Sequence, residues 1–318
     1  MTPPALQPLG HGIFALDSGY VRRHFDAIHL IIEGGRAAII DSGTRHSVPA
    51  VLKALADLGI ERNEVDYVVL THVHLDHAGG AGELLQALPS ARLTVHPRGA
   101  RHMIDPTRLW QATCEVYGQA EAERLYGGII AVPAERVIET PEGACIRLAG
   151  RELQYLDAPG HARHHVVIRD SDSGWLFAGD TFGISYREFD VDGRALAFPS
   201  STPVQFEPEA LRHSIDRMLA LAPEAIVLTH YSAVRDVPRL GADLKRMINR
   251  YEAMGLAHEH AGAARLDRIR EAMRSLLLQQ VQAHGVKLSE QTILELIALD
   301  IDLNAAGIVS WLDARSRQ

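Results

Sequence analysis

Apolar and polar positions follow two different rules along this chain. Up to about residue 237, short apolar runs alternate with turn residues and with stretches of helical spacing. Gly12-Ile13-Phe14-Ala15-Leu16 predicts a first strand. Ala27-Ile28-His29-Leu30-Ile31-Ile32 and Ala37-Ala38-Ile39-Ile40 flank Glu33-Gly34-Gly35-Arg36, and apolar runs around a Gly-Gly turn predict a β-hairpin. Residues 49–58 carry helical spacing and stop at Gly59. Tyr67-Val68-Val69-Leu70 predicts a strand, residues 83–88 a helix that ends near Pro89, and residues 91–96 another strand. This rhythm is what a layered α/β fold produces. Short strands return after Arg136, at 145–148, 153–156, 166–169 and 175–178, and an amphipathic helix at 209–219 feeds an apolar run ending at Thr229. Beyond Pro238 strand signals vanish. Residues 240–256, 264–284 and 290–299 show helical spacing, broken at Gly255, Gly262 and Gly285, and a last helix carries Ile308, Val309, Trp311 and Leu312. The expected division is a domain at 1–237 and a helical extension at 238–318. Within the first, 105–130 reads as a helical insertion with Trp110, Tyr117 and Tyr126. It is either a lid or pocket wall, with Trp110 facing the substrate, or a packed insertion. Tyr20 to Phe25 mixes aromatic and basic residues, as a loop over a site mouth or a plain surface connection would.

The chemistry is concentrated in Thr71-His72-Val73-His74-Leu75-Asp76-His77-Ala78-Gly79-Gly80, between a predicted strand and a predicted helix. Imidazole and carboxylate donors with no cysteine among them suit zinc, iron or manganese. Alternation along an extended chain puts His72 and His74 on one side. Asp76 and His77, past the bend, then face a second point, which suggests two adjacent metals. Outside this run, His96 and His102 read as surface or supporting residues. His258-Glu259-His260 reads as a solvated helix end, because residues two apart on a helix point in different directions.

The pattern HxHxDH resembles the signature of the metallo-β-lactamase-fold hydrolases. Four further segments are similar to that family in order: Ile39-Ile40-Asp41-Ser42-Gly43, Asp157-Ala158-Pro159-Gly160-His161, Phe177-Ala178-Gly179-Asp180-Thr181 and Ala225-Ile226-Val227-Leu228-Thr229-His230. The resemblance covers roughly residues 10–235. It implies an α/β (α+β) fold, a four-layer αββα sandwich, here with a C-terminal helical extension. It also implies that His72, His74 and His161 hold one metal, that Asp76, His77 and His230 hold a second, and that Asp180 bridges them. A water shared by two cations is acidified. Asp76 is then the catalytic residue that orients the nucleophile or passes a proton, and Asp41 orients the ligand loop by hydrogen bonding. Aspartate at 180, where the commonest class B β-lactamases carry cysteine, resembles hydroxyacylglutathione hydrolases, lactonases and tRNA-processing nucleases instead. Lactonases often use a tyrosine near the bridging aspartate, which makes Tyr186 a substrate-pocket candidate. His164 replaces a family glycine and is a candidate to face the cleft, His165 begins the next strand as a residue supporting the ligands, and neither is assigned to metal.

Bulk properties narrow the partners. The formal charge of −8 argues against nucleic acid, which calls for a basic face. The start of the chain has neither the basic nor the apolar region of a signal peptide, and no apolar run approaches the ~20 residues that span a bilayer. Cys114 and Cys145 read as reduced thiols. The expectation is a soluble cytoplasmic protein with a small-molecule substrate and no nucleic-acid or membrane partner, its C-terminal helices serving to cap the active site, to form a homodimer contact or to complete the pocket. The predicted activity is dinuclear metal-dependent hydrolysis of a small ester, thioester, lactone or phosphodiester. Two divalent ions are expected, zinc first, with iron or manganese as alternatives. Other readings of the same fold are an iron-containing oxidoreductase, persulfide dioxygenase-like or diiron oxygen-reducing, and a non-catalytic metal-binding relative. The intact second-metal set and His74 count against the oxidoreductases.

Overall fold

The apolar runs close into two β-sheets in the computed structural model, which describes residues 6–317. The first sheet is built from β1 (Leu6–Gly10), β2 (Ile13–Asp17), β3 (Ala27–Glu33), β4 (Arg36–Ile40), β5 (Val65–Val69), β6 (Arg92–Val95) and β7 (Val137–Glu139), side by side in chain order. Pairing is antiparallel from β1 to β4 and parallel from β4 to β7. The second sheet comprises β8 (Cys145–Leu148), β9 (Arg151–Asp157), β10 (Val166–Asp170), β11 (Leu176–Gly179), β12 (Ile226–Leu228) and β13 (Ser232–Val234). It runs β13-β12-β11-β10-β9-β8, with β11 and β12 parallel. The expected hairpin is β3–β4. Glu33 pairs with Arg36, and Gly34 and Gly35 take φ of 53° and 75°, the pair of positive values a two-residue turn needs.

The helices are α1 (Val48–Asp57), α2 (Leu75–Ala78), α3 (Ala81–Ala87), α4 (Pro97–Ile104), α5 (Thr107–Tyr117), α6 (Gln119–Tyr126), α7 (Pro208–Ala220), α8 (Val237–His258), α9 (Arg265–His284), α10 (Glu290–Leu296) and α11 (Ala298–Arg315). The chain forms two compact units, and their segments interleave. One comprises Met1–Asp157, His164–Gly179 and Ile226–Ala233, the other Ala158–Arg163, Asp180–Ala225 and Val234–Gln318.

The first unit holds both sheets and α1 to α6. Its sheets face each other. The His29 ring on β3 lies 5.9 Å from Phe177 on β11, and the hydroxyls of Thr94 on β6 and Tyr155 on β9 are 2.6 Å apart. The other face of the first sheet is covered by helices: Val51 and Leu55 of α1, Leu84 and Leu85 of α3 and Met103 of α4 share one core with Leu30, Ile39, Val68 and Leu93. Strands buried on both faces read as continuous apolar runs, which is why 27–31 shows no alternation. Each buried leucine or isoleucine contributes roughly 1.5–3 kcal/mol.

One buried charge pair braces the second sheet. Arg151 Nε donates to Asp170 Oδ1 at 2.7 Å, and Arg151 Nη1 donates to the His11 carbonyl at 2.6 Å. Burial pushes the Asp170 carboxyl up. Hydrogen bonds from Arg151 and Ser173 outweigh it, so the carboxyl sits below its ordinary value.

The second unit is mostly helical. Its close approaches explain several helical glycines: a Cβ at Gly241 would lie 2.8 Å from Leu219 of α7, and one at Gly255 2.8 Å from Ile308 of α11. The structure begins α11 at Ala298, earlier than the spacing predicts, because one residue, Ile297 at φ −110°, interrupts the helix after α10. Among the described residues no helix is long and apolar enough to cross a membrane.

Candidate metal centre

The ligand loop leaves β5 at Val69 and turns into α2, with the extended His74 (φ −65°, ψ 150°) immediately before the helix. What pins the loop is Asp41, at the end of β4. Its carboxylate accepts from Thr71 N at 2.8 Å, from Thr71 Oγ1 at 2.9 Å and from Thr229 Oγ1 at 2.9 Å, and it lies 2.8 Å from His77 Nδ1. One buried carboxylate thus fixes the residues before His72 and before His230 as well as the His77 ring. Asp41 takes φ 55°, a left-handed conformation that aspartate tolerates better than most residues. On the far side of α2, a Cβ at Gly80 would lie 2.7 Å from the Ser42 carbonyl, so glycine lets the helix press onto the Asp41 turn.

Within the first unit the imidazoles crowd together. His72 Nε2 and His74 Nδ1 are 2.9 Å apart, and the His72 and His77 ring centroids 4.0 Å. Asp76 Oδ2 lies 3.6 Å from both His77 Nε2 and His230 Nε2. One donor atom from each of Asp76, His77 and His230 falls within 4.8 Å of the others. His77 and His230 each turn Nδ1 toward a carboxylate. For His77 it is Asp41, and for His230 it is Asp26, 2.7 Å away, with the Phe25 carbonyl at 3.2 Å. A carboxylate behind the imidazole fixes the tautomer and leaves Nε2 for a metal. The donor set therefore fits a small divalent cation. Burial pushes Asp26 up to about 6, against the pull of His230.

His164 and His165 also belong here. The His165 ring stacks on His72 at 4.7 Å, and the His164 ring lies 6.0 Å from His74 and 6.2 Å from His72. A Cβ on Gly179 would meet His165 Nε2 at 2.6 Å and Thr71 Oγ1 at 2.7 Å, so the glycine before Asp180 is a packing requirement. Three phenols cluster in the same unit. The Tyr20 and Tyr126 hydroxyls are 2.9 Å apart, with Tyr117 5.7 Å from Tyr126 between ring centroids. Burial, and then the Asp76 carboxylate, pushes Tyr20 up. The Phe25 ring lies 5.4 Å from His230, and the Arg22 guanidinium 5.4 Å from Phe25, so residues 20–25 stand beside the histidines.

In the second unit His161 and Asp180 form a buried pair, with Nε2 and Oδ2 3.5 Å apart. A Cβ on Gly160 would lie 2.3 Å from the Leu211 backbone, so the turn before His161 sits tight against α7. Tyr186 is fully buried and donates to Asp300 at 3.0 Å, a structural engagement within this unit. Trp110 is half-buried on α5. Of the supporting residues, Thr71 and Thr229 directly precede predicted ligands and His165 was expected beside one, whereas Asp26 carried no signal.

The protein is thus a mixed α/β fold with two sheets, a C-terminal helical part and a histidine–aspartate cluster that could hold a metal ion. The chain belongs to the metallo-β-lactamase superfamily, whose family model matches residues 24–230. Metal-dependent hydrolases are among its members. A metallo-β-lactamase fold-containing protein of Sulfurisphaera tokodaii is 26% identical over 247 residues, 76% of this chain and 86% of that protein. A hydroxyacylglutathione hydrolase of Synechococcus is 32% identical over 146 residues. That match covers 46% of this chain and 43% of the relative, less than half the latter's length. An acyl-coenzyme A thioesterase of Gallus gallus is 28% identical over 182 residues, 55% of this chain and 65% of that protein. The solved structure of an archaeal metallo-β-lactamase superfamily protein from Sulfolobus tokodaii shares the fold, with a TM-score of 0.65 at 22% identity over 94% of this chain and 98% of the other.

Proposed function

We propose that this chain is a dinuclear metal-dependent hydrolase that releases an acyl group from a small ester, thioester or lactone. The carrying observation is the set Asp76, His77 and His230, with Asp41 and Asp26 behind the two imidazoles. The relatives named for hydroxyacylglutathione hydrolysis and acyl-coenzyme A thioester hydrolysis favour acyl substrates over phosphodiesters. In this reading His72, His74 and His161 hold one ion, Asp76, His77 and His230 the other, and Asp180 both. Two features support including His161 and Asp180. Asp180 directly follows Gly179, which packs on Thr71 and His165, and consecutive Cα atoms are about 3.8 Å apart. His161 is tethered three residues before His164, which lies beside His72 and His74.

Bound there, a pair of divalent ions supplies an acidified water and polarises the substrate carbonyl. The chain's own residues do the rest. Asp41 and Asp26 hold His77 and His230 in one tautomer. The Asp76 side chain, 18% exposed, is reachable from solvent and exchanges a proton with the leaving group at its carboxylate oxygen. Nitrogen and carboxylate donors favour zinc and accept iron or manganese. Cys114 and Cys145 are unpaired thiols, in keeping with a cytoplasmic protein.

The test is turnover by metal-loaded protein across ester, thioester, lactone and phosphodiester panels, with metal analysis of protein purified without added metal. Asp76→Ala and His161→Ala are expected to abolish whichever activity appears while circular dichroism stays unchanged. Undiminished turnover in either variant refutes the mechanism.

A further inference from the structure

The helix α11 buries two residues that a helix interior disfavours. Asn304 is 1% exposed, where an apolar side chain would pack without the cost of desolvating an amide. Gly307, one turn on, costs about 1 kcal/mol relative to alanine in a helix. Both serve the same stretch of chain, residues 199–202. Asn304 Oδ1 accepts from Ser201 N at 2.6 Å and lies 3.0 Å from Ser201 Oγ, while Asn304 Nδ2 donates to the Pro199 carbonyl at 3.4 Å. Tyr251 of α8 donates to the same Pro199 carbonyl at 3.3 Å. At Gly307 the Ser201 carbonyl comes so near that a Cβ would sit 1.4 Å from its oxygen. Between these anchors lies Ser200. Its carbonyl faces His161 Nδ1 at 3.4 Å, and Thr202 Oγ1 lies 3.5 Å from His161 Nε2.

We propose that α11 is a positioning element of the metal centre. Asn304 and Gly307 hold residues 199–202 so that the Ser200 carbonyl accepts a hydrogen bond from Nδ1–H of His161, which keeps the proton there and leaves Nε2 for the metal. This inference rests on His161 being a ligand, as in the function proposed above. The logic is that of any metal-ligating histidine, whose far nitrogen must be held by an acceptor. Here the acceptor is a backbone carbonyl, which has no side chain of its own to fix it and relies on a buried amide. Asn304 is a positioning residue and touches no substrate.

The experiment measures zinc affinity of the full chain by competition with a chromophoric chelator, with the melting temperature of the metal-free protein alongside. Asn304→Leu is expected to weaken one of the two zinc ions by tenfold or more and spare the other, the weakened ion being the one that His161→Ala loses. A merely structural helix predicts a lower melting temperature with unchanged zinc affinity, and that result overturns the proposal. Should Asn304→Leu not fold, Ser201→Ala is judged by the same criterion. If His161→Ala keeps both ions at full affinity, the ligand assignment itself falls and the inference with it. If His161→Ala loses an ion while Asn304→Leu keeps both, only the positioning role falls.

Discussion

His29 lies between the two sheets, its Nε2 3.4 Å from Ser232 Oγ, and burial lowers its imidazole to about 4, with the Asp41 carboxylate pulling the other way. In an unfolded chain the same group titrates near its ordinary value of about 6.5. Between those values the unfolded state binds the extra proton. Stability is therefore undiminished by His29 above pH 6.5 and falls as the pH drops from 6.5 toward 4, by an amount on the order of 3 kcal/mol. Urea unfolding of metal-free protein at pH 7 and pH 4 checks this: His29→Asn should lose about that much less stability over the interval than the parent. Equal losses would show that His29 is not the titrating group. Asp26 makes a different single-residue case. Its carboxylate stands 2.7 Å behind His230, and Asp26→Asn is expected to weaken the ion held by His230 by about 10–100-fold, read by chelator competition. Asp76, His77 and His230, whose donor atoms the structure brings together, were legible because histidine and aspartate stand there in short patterns that packing does not otherwise require. Asp26 was not. An aspartate heading an apolar strand is common, and nothing local indicates that the fold will set it against a histidine some two hundred positions later.

Elements with strong local signals were readable, and those defined by their neighbours were not. The β3–β4 hairpin carries its own turn chemistry in Gly34-Gly35. By contrast β1 is half-exposed, and β7 has three residues, so each is a strand only because β2 or β6 offers it hydrogen bonds. The break between α10 and α11 lacks glycine or proline, so no local residue marks it. The sheet of β8 to β13 depends on a further non-local device, the Arg151–Asp170 pair, which joins the start of β9 to the end of β10 and reaches the turn after β1 through His11. Removing one partner leaves the other charge buried. Asp170→Ala is accordingly expected to cost about 3–5 kcal/mol in chemical denaturation, and the double change Arg151→Met with Asp170→Leu distinctly less. A loss no larger than that of an exposed pair, under about 1 kcal/mol, would remove the pair from the account of this sheet's stability.

For the molecule as a whole, the first unit gathers Asp26, Asp41 and Asp76 around His77 and His230, from segments at 24–41, 72–80 and 226–230. Asp26 and Asp41 are each 1% exposed. Buried carboxylates have lost their water and repel one another and the nearby Asp76, and a cation held by Asp76, His77 and His230 would offset part of that penalty. Binding to the folded chain and not to the unfolded one stabilises by RT ln(1 + [L]/Kd), about 4 kcal/mol for one site at a free metal concentration of a thousand times Kd. For a domain of this size that corresponds to a rise of several degrees in melting temperature per site. Chelation should therefore lower the melting temperature at neutral pH, and zinc should restore it. The graded form of the prediction is sharper: His161→Ala should show a smaller zinc-induced rise than the parent, and His77→Ala likewise, because each leaves one ion. A rise of equal size in all three proteins would mean that zinc stabilises the fold from somewhere else, since ions that share no ligand with these histidines cannot report their loss.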